Sequence, residues 1–72
     1  MEAIKISTEY ITLGQFLKFV NLASSGGEVK VFLATYTIYV NDELEARRGR
    51  KLYPGMEIVI ANVGDYKIVD ET

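Results

Sequence analysis

Apolar and polar residues alternate from the first positions of the chain: Ile4 and Ile6 are separated by Lys5 and flanked by Ala3 and Ser7. A period of two predicts a short strand, AIKIS, with one buried face. The period then changes. Leu13, Phe16, Leu17 and Val20 recur three and four apart, which gathers them on one helix face and leaves Gly14, Gln15, Lys18 and Asn21 on the other. Thr12 and Gln15 have capping-box spacing, and Ile11 with Phe16 that of a hydrophobic staple, so the helix starts at Thr12. Ser-Ser-Gly-Gly at 24–27 ends it, because Gly26 and Gly27 accept the positive φ of a C-terminal or turn position.

Ser25 and Glu28 repeat the capping box, and Val29, Phe32, Leu33 and Tyr36 carry one apolar stripe through a second helix of about ten residues. Lys30 lies off that stripe and faces solvent. Two helices with so short a link pack as an αα-hairpin. Ile38 and Val40 then point inward against an outward Tyr39, and Asn41-Asp42 supplies a tight reversal with left-handed φ. Pro54-Gly55 reads as a type II turn into MEIVIANV, the most β-prone run, and Gly64-Asp65 turns that run into a final strand, YKIV. The expected fold is one α+β domain over residues 1–72 in strand-helix-helix-strands order, its αα-hairpin packed on a small antiparallel sheet of three or four strands. EARRGRK, residues 45–51, is left as an irregular excursion in water.

Composition narrows the chemistry. With 72 residues, 49% hydrophobic content and one Pro, the chain makes a single folded domain that buries about 60% of its unfolded surface. It has no Cys, so it lacks disulfide staples and thiolate chemistry and suits a reducing compartment. Neither a signal peptide nor an apolar run near 18 residues is present, which makes the cytoplasm the expected location and excludes a membrane span. The absence of His removes the usual acid or base at neutral pH and most zinc sites. The expectation is a non-enzymatic protein with no cofactor and no small-molecule substrate.

A net charge of −2 and a pI of 5.0 count against a binder that works by overall charge, yet four of the eight Lys and Arg fall between Arg47 and Lys51. Arg47, Arg48 and Arg50 can fork onto phosphate oxygens and stack on bases, Gly49 allows close backbone approach, and Lys18 and Lys30 add charge on the helix surface. The amides of Gly27 and Glu28 at the second helix start can receive a phosphate. Four to six neutralised phosphates predict a slope of log affinity against log salt of about −3 to −5. The competing reading is a solvated edge, its cations paired with Asp42, Glu43 and Glu45. Those acids read as solvated rather than metal-binding, and Gly26-Gly27 lacks the Lys-Ser/Thr of a phosphate loop. Phe16, Phe19, Phe32 and Tyr36 fall mostly on helical apolar stripes as core, while Tyr39 and Tyr66 suit packing or stacking.

SGGEVKVFLATYTIYVNDE resembles the core motif of the RNA-binding domain named after small-subunit ribosomal protein four, the S-four domain. Ser25 and Glu28 stand where that motif opens its second helix, Lys30 at its basic position, Phe32 and Leu33 at its apolar pair, Ile38 and Val40 in its strand and Asn41 at its turn. LYPGMEIVI is similar to its strand ending, with Gly55-Met56 in place of Gly-Asp. ITLGQFLK, the paired glycines and RRGRKL together resemble the free-standing YaaA-like members. The usual family form has a cation where Thr12 stands and another near Gly26, and glycines where Tyr36 and Asp42 stand. The resemblance implies binding of structured RNA, ribosomal RNA or a ribosomal subunit or assembly intermediate, through Thr12, Lys18, Gly26, Gly27, Lys30, Asn41, Arg47, Arg48, Arg50 and Lys51. Recognition of backbone shape rather than linear sequence follows from the inaccessible deep groove of duplex RNA. The alternative is a protein-interaction adaptor that docks an acidic partner through a strand edge and the same loop. A ubiquitin-like sulfur carrier is set aside because the chain ends VDET rather than Gly-Gly.

Overall fold

The computed structural model describes residues 1–71, in the order β1 (Glu2–Ile6), β2 (Ile11–Thr12), α1 (Leu13–Phe19), α2 (Gly26–Thr35), β3 (Ile38–Val40), β4 (Glu43–Leu44), β5 (Lys51–Leu52), β6 (Glu57–Ile60) and β7 (Gly64–Asp70). The fold is α+β, with two helices and a small mixed sheet. Five strands line up as β1-β7-β6-β3-β4, and β2 with β5 forms a separate two-stranded ribbon. Two expectations are corrected here. The sheet is not purely antiparallel, since β1 runs parallel to β7 with Ile4 opposite Ile68. A further strand, β2, stands between β1 and the helices. Both features come from pairings between residues tens of positions apart, which local periodicity does not encode.

Alternation puts Ile4, Ile6, Ile38, Val40, Ile58, Ile60, Tyr66 and Ile68 on the buried face of the sheet. The helices cover that face with Leu13, Phe16, Leu17, Val29 and Phe32. Phe16 meets Tyr66 edge-on at 5.2 Å, the arrangement that ring quadrupoles favour. Val20 and Leu33 are half-buried at the margin, and Tyr36, placed on the helical stripe by its spacing, is instead an exposed C-cap stacked on Phe32 at 4.3 Å.

The capping box of α1 forms in full: Thr12 Oγ1 accepts from the Gln15 N–H at 3.2 Å, and Gln15 Oε1 accepts from the Thr12 N–H at 2.9 Å. The end of α1 is corrected. Asn21, at φ 62°, makes the left-handed turn expected of Gly26 and Gly27, which are the first two residues of α2. Ser25 caps α2 by accepting the Glu28 N–H, but the Glu28 carboxylate reaches one residue further back. It accepts the Ser24 hydroxyl at 2.7 Å and the Ser24 N–H at 2.9 Å, bonds that hold its pKa below the usual carboxylate value.

Asn41 (φ 49°) and Asp42 (φ 68°) form the predicted reversal, and Gly55 (φ 98°) takes the third position of the Tyr53–Met56 turn, closed by Met56 N–H to Tyr53 O at 3.1 Å. The final reversal falls earlier than expected. Asn62, at φ 66°, turns the chain, and Gly64 and Asp65 are already strand residues opposite Ile60 and Val59.

Candidate functional site

The arginine-bearing segment is folded onto α1 rather than suspended in water. Arg50 N–H donates to Arg47 O at 3.1 Å, closing a four-residue turn with Arg48 and Gly49 at its tip. The carbonyls of Arg50 and Arg48 then accept from the N–H groups of Leu13 (2.8 Å) and Gly14 (2.9 Å). Those two amides belong to the first turn of α1, where helix geometry leaves donors without partners. The approach is close enough to leave room for a methyl group and little more. A Cβ on Gly14 would lie 3.4 Å from Arg48 O and 3.5 Å from both Arg48 Cβ and Val29 Cγ1. Gly14, expected on the solvent side of the helix, is buried beneath this turn.

Glu45 anchors the segment. It is 6% exposed, and its N–H donates to Ile38 O at 2.8 Å. Its carboxylate accepts the N–H groups of Ala46 and Arg47 at 3.1 Å, Arg47 Nε and Nη2 at 3.0 Å, and Arg50 Nη1 at 2.9 Å. The Arg47 side chain is the main cause that holds the Glu45 carboxyl at about 2, against an ordinary 4.5; burial opposes the shift and Arg50 adds to it. Arg50 also lies 3.9 Å from Glu43. The expectation of a solvated acid at Glu45 is therefore corrected, and two of the three arginines are spent on it. Among the described residues, Lys18, Lys30 and Arg48 form no ion pair.

The turn explains this division. Its first and last residues, Arg47 and Arg50, point back to Glu45, while the tip residue Arg48 points away. Thr12, Lys18, Gly26, Arg48 and Gly49 line one open hollow, and Lys30 adjoins Arg48 in the next. On the other side of the turn Arg47, Arg50 and Lys51 share a hollow with Tyr53 and Met56. Lys51 Nζ sits 4.9 Å from the centre of the Tyr10 ring, within cation–π range. Gly27 is exposed in the first turn of α2. Asn41 is elsewhere, between β3 and β4, where it accepts the Glu57 N–H at 2.9 Å and donates its own N–H to Glu57 O at 2.8 Å. Around Gly49 the space is open, with nothing within 4 Å of an added Cβ.

Sequence reasoning overlooked Gly14, Tyr10 and Tyr53, and it named Glu45 only as one of three acids that pair with the loop cations in the competing reading, a pairing that Arg47 and Arg50 make. For Glu45 a signal was present: in Glu-x-Arg-x-x-Arg a tight turn returns both outer arginines to one carboxylate. Among the described residues no three His, Cys, Asp or Glu side chains converge as metal ligands, and no helix is long and apolar enough to cross a membrane.

A chain with this α+β arrangement and this motif belongs to the S4 domain family, whose model matches residues 4–69. A particular relative is the Bacillus subtilis (strain 168) protein named "Probable ribosome maturation protein RlbA". It is 49% identical over 67 residues, which cover 93% of this chain and 94% of the relative. No solved structure matches the chain at a significant level.

Proposed function

We propose that this protein is a cytoplasmic, non-enzymatic RNA-binding module that grips the backbone of structured ribosomal RNA during ribosome maturation. The observation that carries this reading is the convergence of Arg48 with Lys18 in the hollow that also contains Thr12 and Gly26, with Lys30 beside Arg48. Three cations that pair with no carboxylate among the described residues surround a helix-start surface, and the backbone bonds to Leu13 and Gly14 fix the turn that carries one of them. A cation that is already positioned loses less entropy on binding than one on a free loop. Family membership and the name of the Bacillus relative supply the ribosomal context.

The pairing within the loop lowers the expected phosphate count. Three neutralised phosphates give a salt slope of about −3, so raising salt from about 50 to 200 mM weakens binding on the order of fiftyfold. The test is sedimentation with ribosomal subunits at low and high salt, alongside titration of a labelled ribosomal RNA hairpin. The Lys18→Glu/Arg48→Glu double variant should lose both activities, and unchanged binding by that variant would overturn the assignment.

A further inference from the structure

The two sides of the Arg47–Arg50 turn differ in chemistry as well as in position. On the Tyr53 side, Glu45 and the nearby Glu43 take up Arg47 and Arg50, which leaves Lys51, set over the Tyr10 ring, as the remaining charge. Flat surfaces stand beside it. The Arg47 guanidinium is fixed by two bonds to Glu45 while its side chain stays 76% exposed. Tyr53 is half-buried and faces an open hollow, and Tyr10 flanks it at 5.6 Å between ring centres. Tyr53 is also rigidly seated: its carbonyl accepts the Met56 N–H at 3.1 Å, its N–H donates to Met56 Sδ at 3.4 Å, and Gly55 ties the turn to Ile68 O at 2.7 Å.

From this we infer that the hollow between Arg47 and Tyr53 is a subsite for one unpaired RNA base, stacked on the tyrosine and the guanidinium. The inference rests on the backbone-gripping role proposed above and extends it. Bases inside a duplex are already stacked on their neighbours and have no free face for the tyrosine, so the occupant must come from a bulge, loop or end. Gly49 lines both hollows. An RNA whose phosphates lie against Arg48 and Lys18 therefore reaches the aromatic side with an adjacent, splayed nucleotide. The substrate class is a helix next to an unpaired base, and duplex alone fills only half of the surface.

The experiment compares a hairpin carrying one bulged 2-aminopurine with the same hairpin fully paired. The unaltered protein and Tyr53→Phe should quench the aminopurine and bind the bulged RNA more tightly; Tyr53→Leu should abolish quenching and cost about five- to a hundredfold in affinity for the bulged RNA only. With 5-iodouracil in the bulge, the unaltered protein should crosslink through the peptide that contains Tyr53, a result that needs no variant to fold. Crosslinks confined to α1 or α2, or an equal loss for both RNAs in Tyr53→Leu, would overturn the subsite. Arg48→Glu keeps the two claims separate: it should weaken both RNAs, and if it weakens neither, the backbone-gripping role fails. No binding of either RNA by the unaltered protein would overturn both.

Discussion

Arg47 and Arg48 are neighbours in sequence with opposite circumstances. The guanidinium of Arg47 is bonded twice to Glu45, whereas Arg48 meets no carboxylate among the described residues and shares a hollow with Lys18. One residue of displacement along a tight turn separates a cation used internally from one left facing solvent. Counting cations in a loop therefore overstates the charge a ligand meets, and the acid that closes the turn decides how much remains.

The largest effect should come from reversing the two arginines separately. Arg48→Glu should cost on the order of thirtyfold in RNA affinity at low salt, against about threefold for Arg47→Glu, measured by fluorescence anisotropy. With neutral replacements, Arg48→Gln should reduce the steepness of the salt dependence by about 1, and Arg47→Gln by less than half of that. Equal losses would erase the distinction between them.

Glu45→Gln should come next, and its sign is informative. Removing a negative charge from a basic loop raises RNA affinity if only net charge matters. If Glu45 positions the turn, affinity falls several-fold instead. Stability should drop by about 1–2 kcal/mol, because a half-buried Arg50 loses its charged partner, and Tm should fall by roughly 5–15 °C in thermal melts.

A smaller effect concerns acid. The Glu45 carboxyl lies at about 2 in the folded protein and near 4.5 otherwise, so the unfolded chain takes up the proton first. The stabilisation is complete above about pH 4.5 and is lost as pH falls from there toward 2. Melts across this range should show an acid limb that flattens in Glu45→Gln; Glu28, whose pKa is lowered by its bonds to Ser24, keeps part of it. The smallest effect is expected for Gly14→Ala, where helix propensity gains up to about 1 kcal/mol and the new methyl makes contacts of 3.4–3.5 Å. Tm should stay within a few degrees, while Gly14→Val should displace the turn and weaken RNA binding.

Features set by neighbouring residues could be read from the sequence. The Thr12–Gln15 box, the Asn41-Asp42 reversal, the Pro54-Gly55 turn and the inward Ile38 and Val40 all depend on a few adjacent positions. Where two local signals compete, sequence does not rank them: Asn21 and Asn62 take left-handed φ although glycines stand nearby. Long-range pairings had no local trace. Neither the parallel match of β1 with β7 nor the seating of Arg48 O on Gly14 follows from spacing within either segment. The cations of the candidate site were thus named from composition and family likeness, but their separation into two groups required the turn in three dimensions.

β1 has β7 as its strand neighbour, the first strand of the sheet waiting on the last. A growing polypeptide that has not yet reached residue 64 leaves β1 without its strand neighbour, so that pairing forms only after the other strands of the sheet have been made. Removing β7 would accordingly leave β1 with no strand neighbour and β6 with β3 alone, so loss of this interior strand should cost far more than loss of an edge strand of the same length.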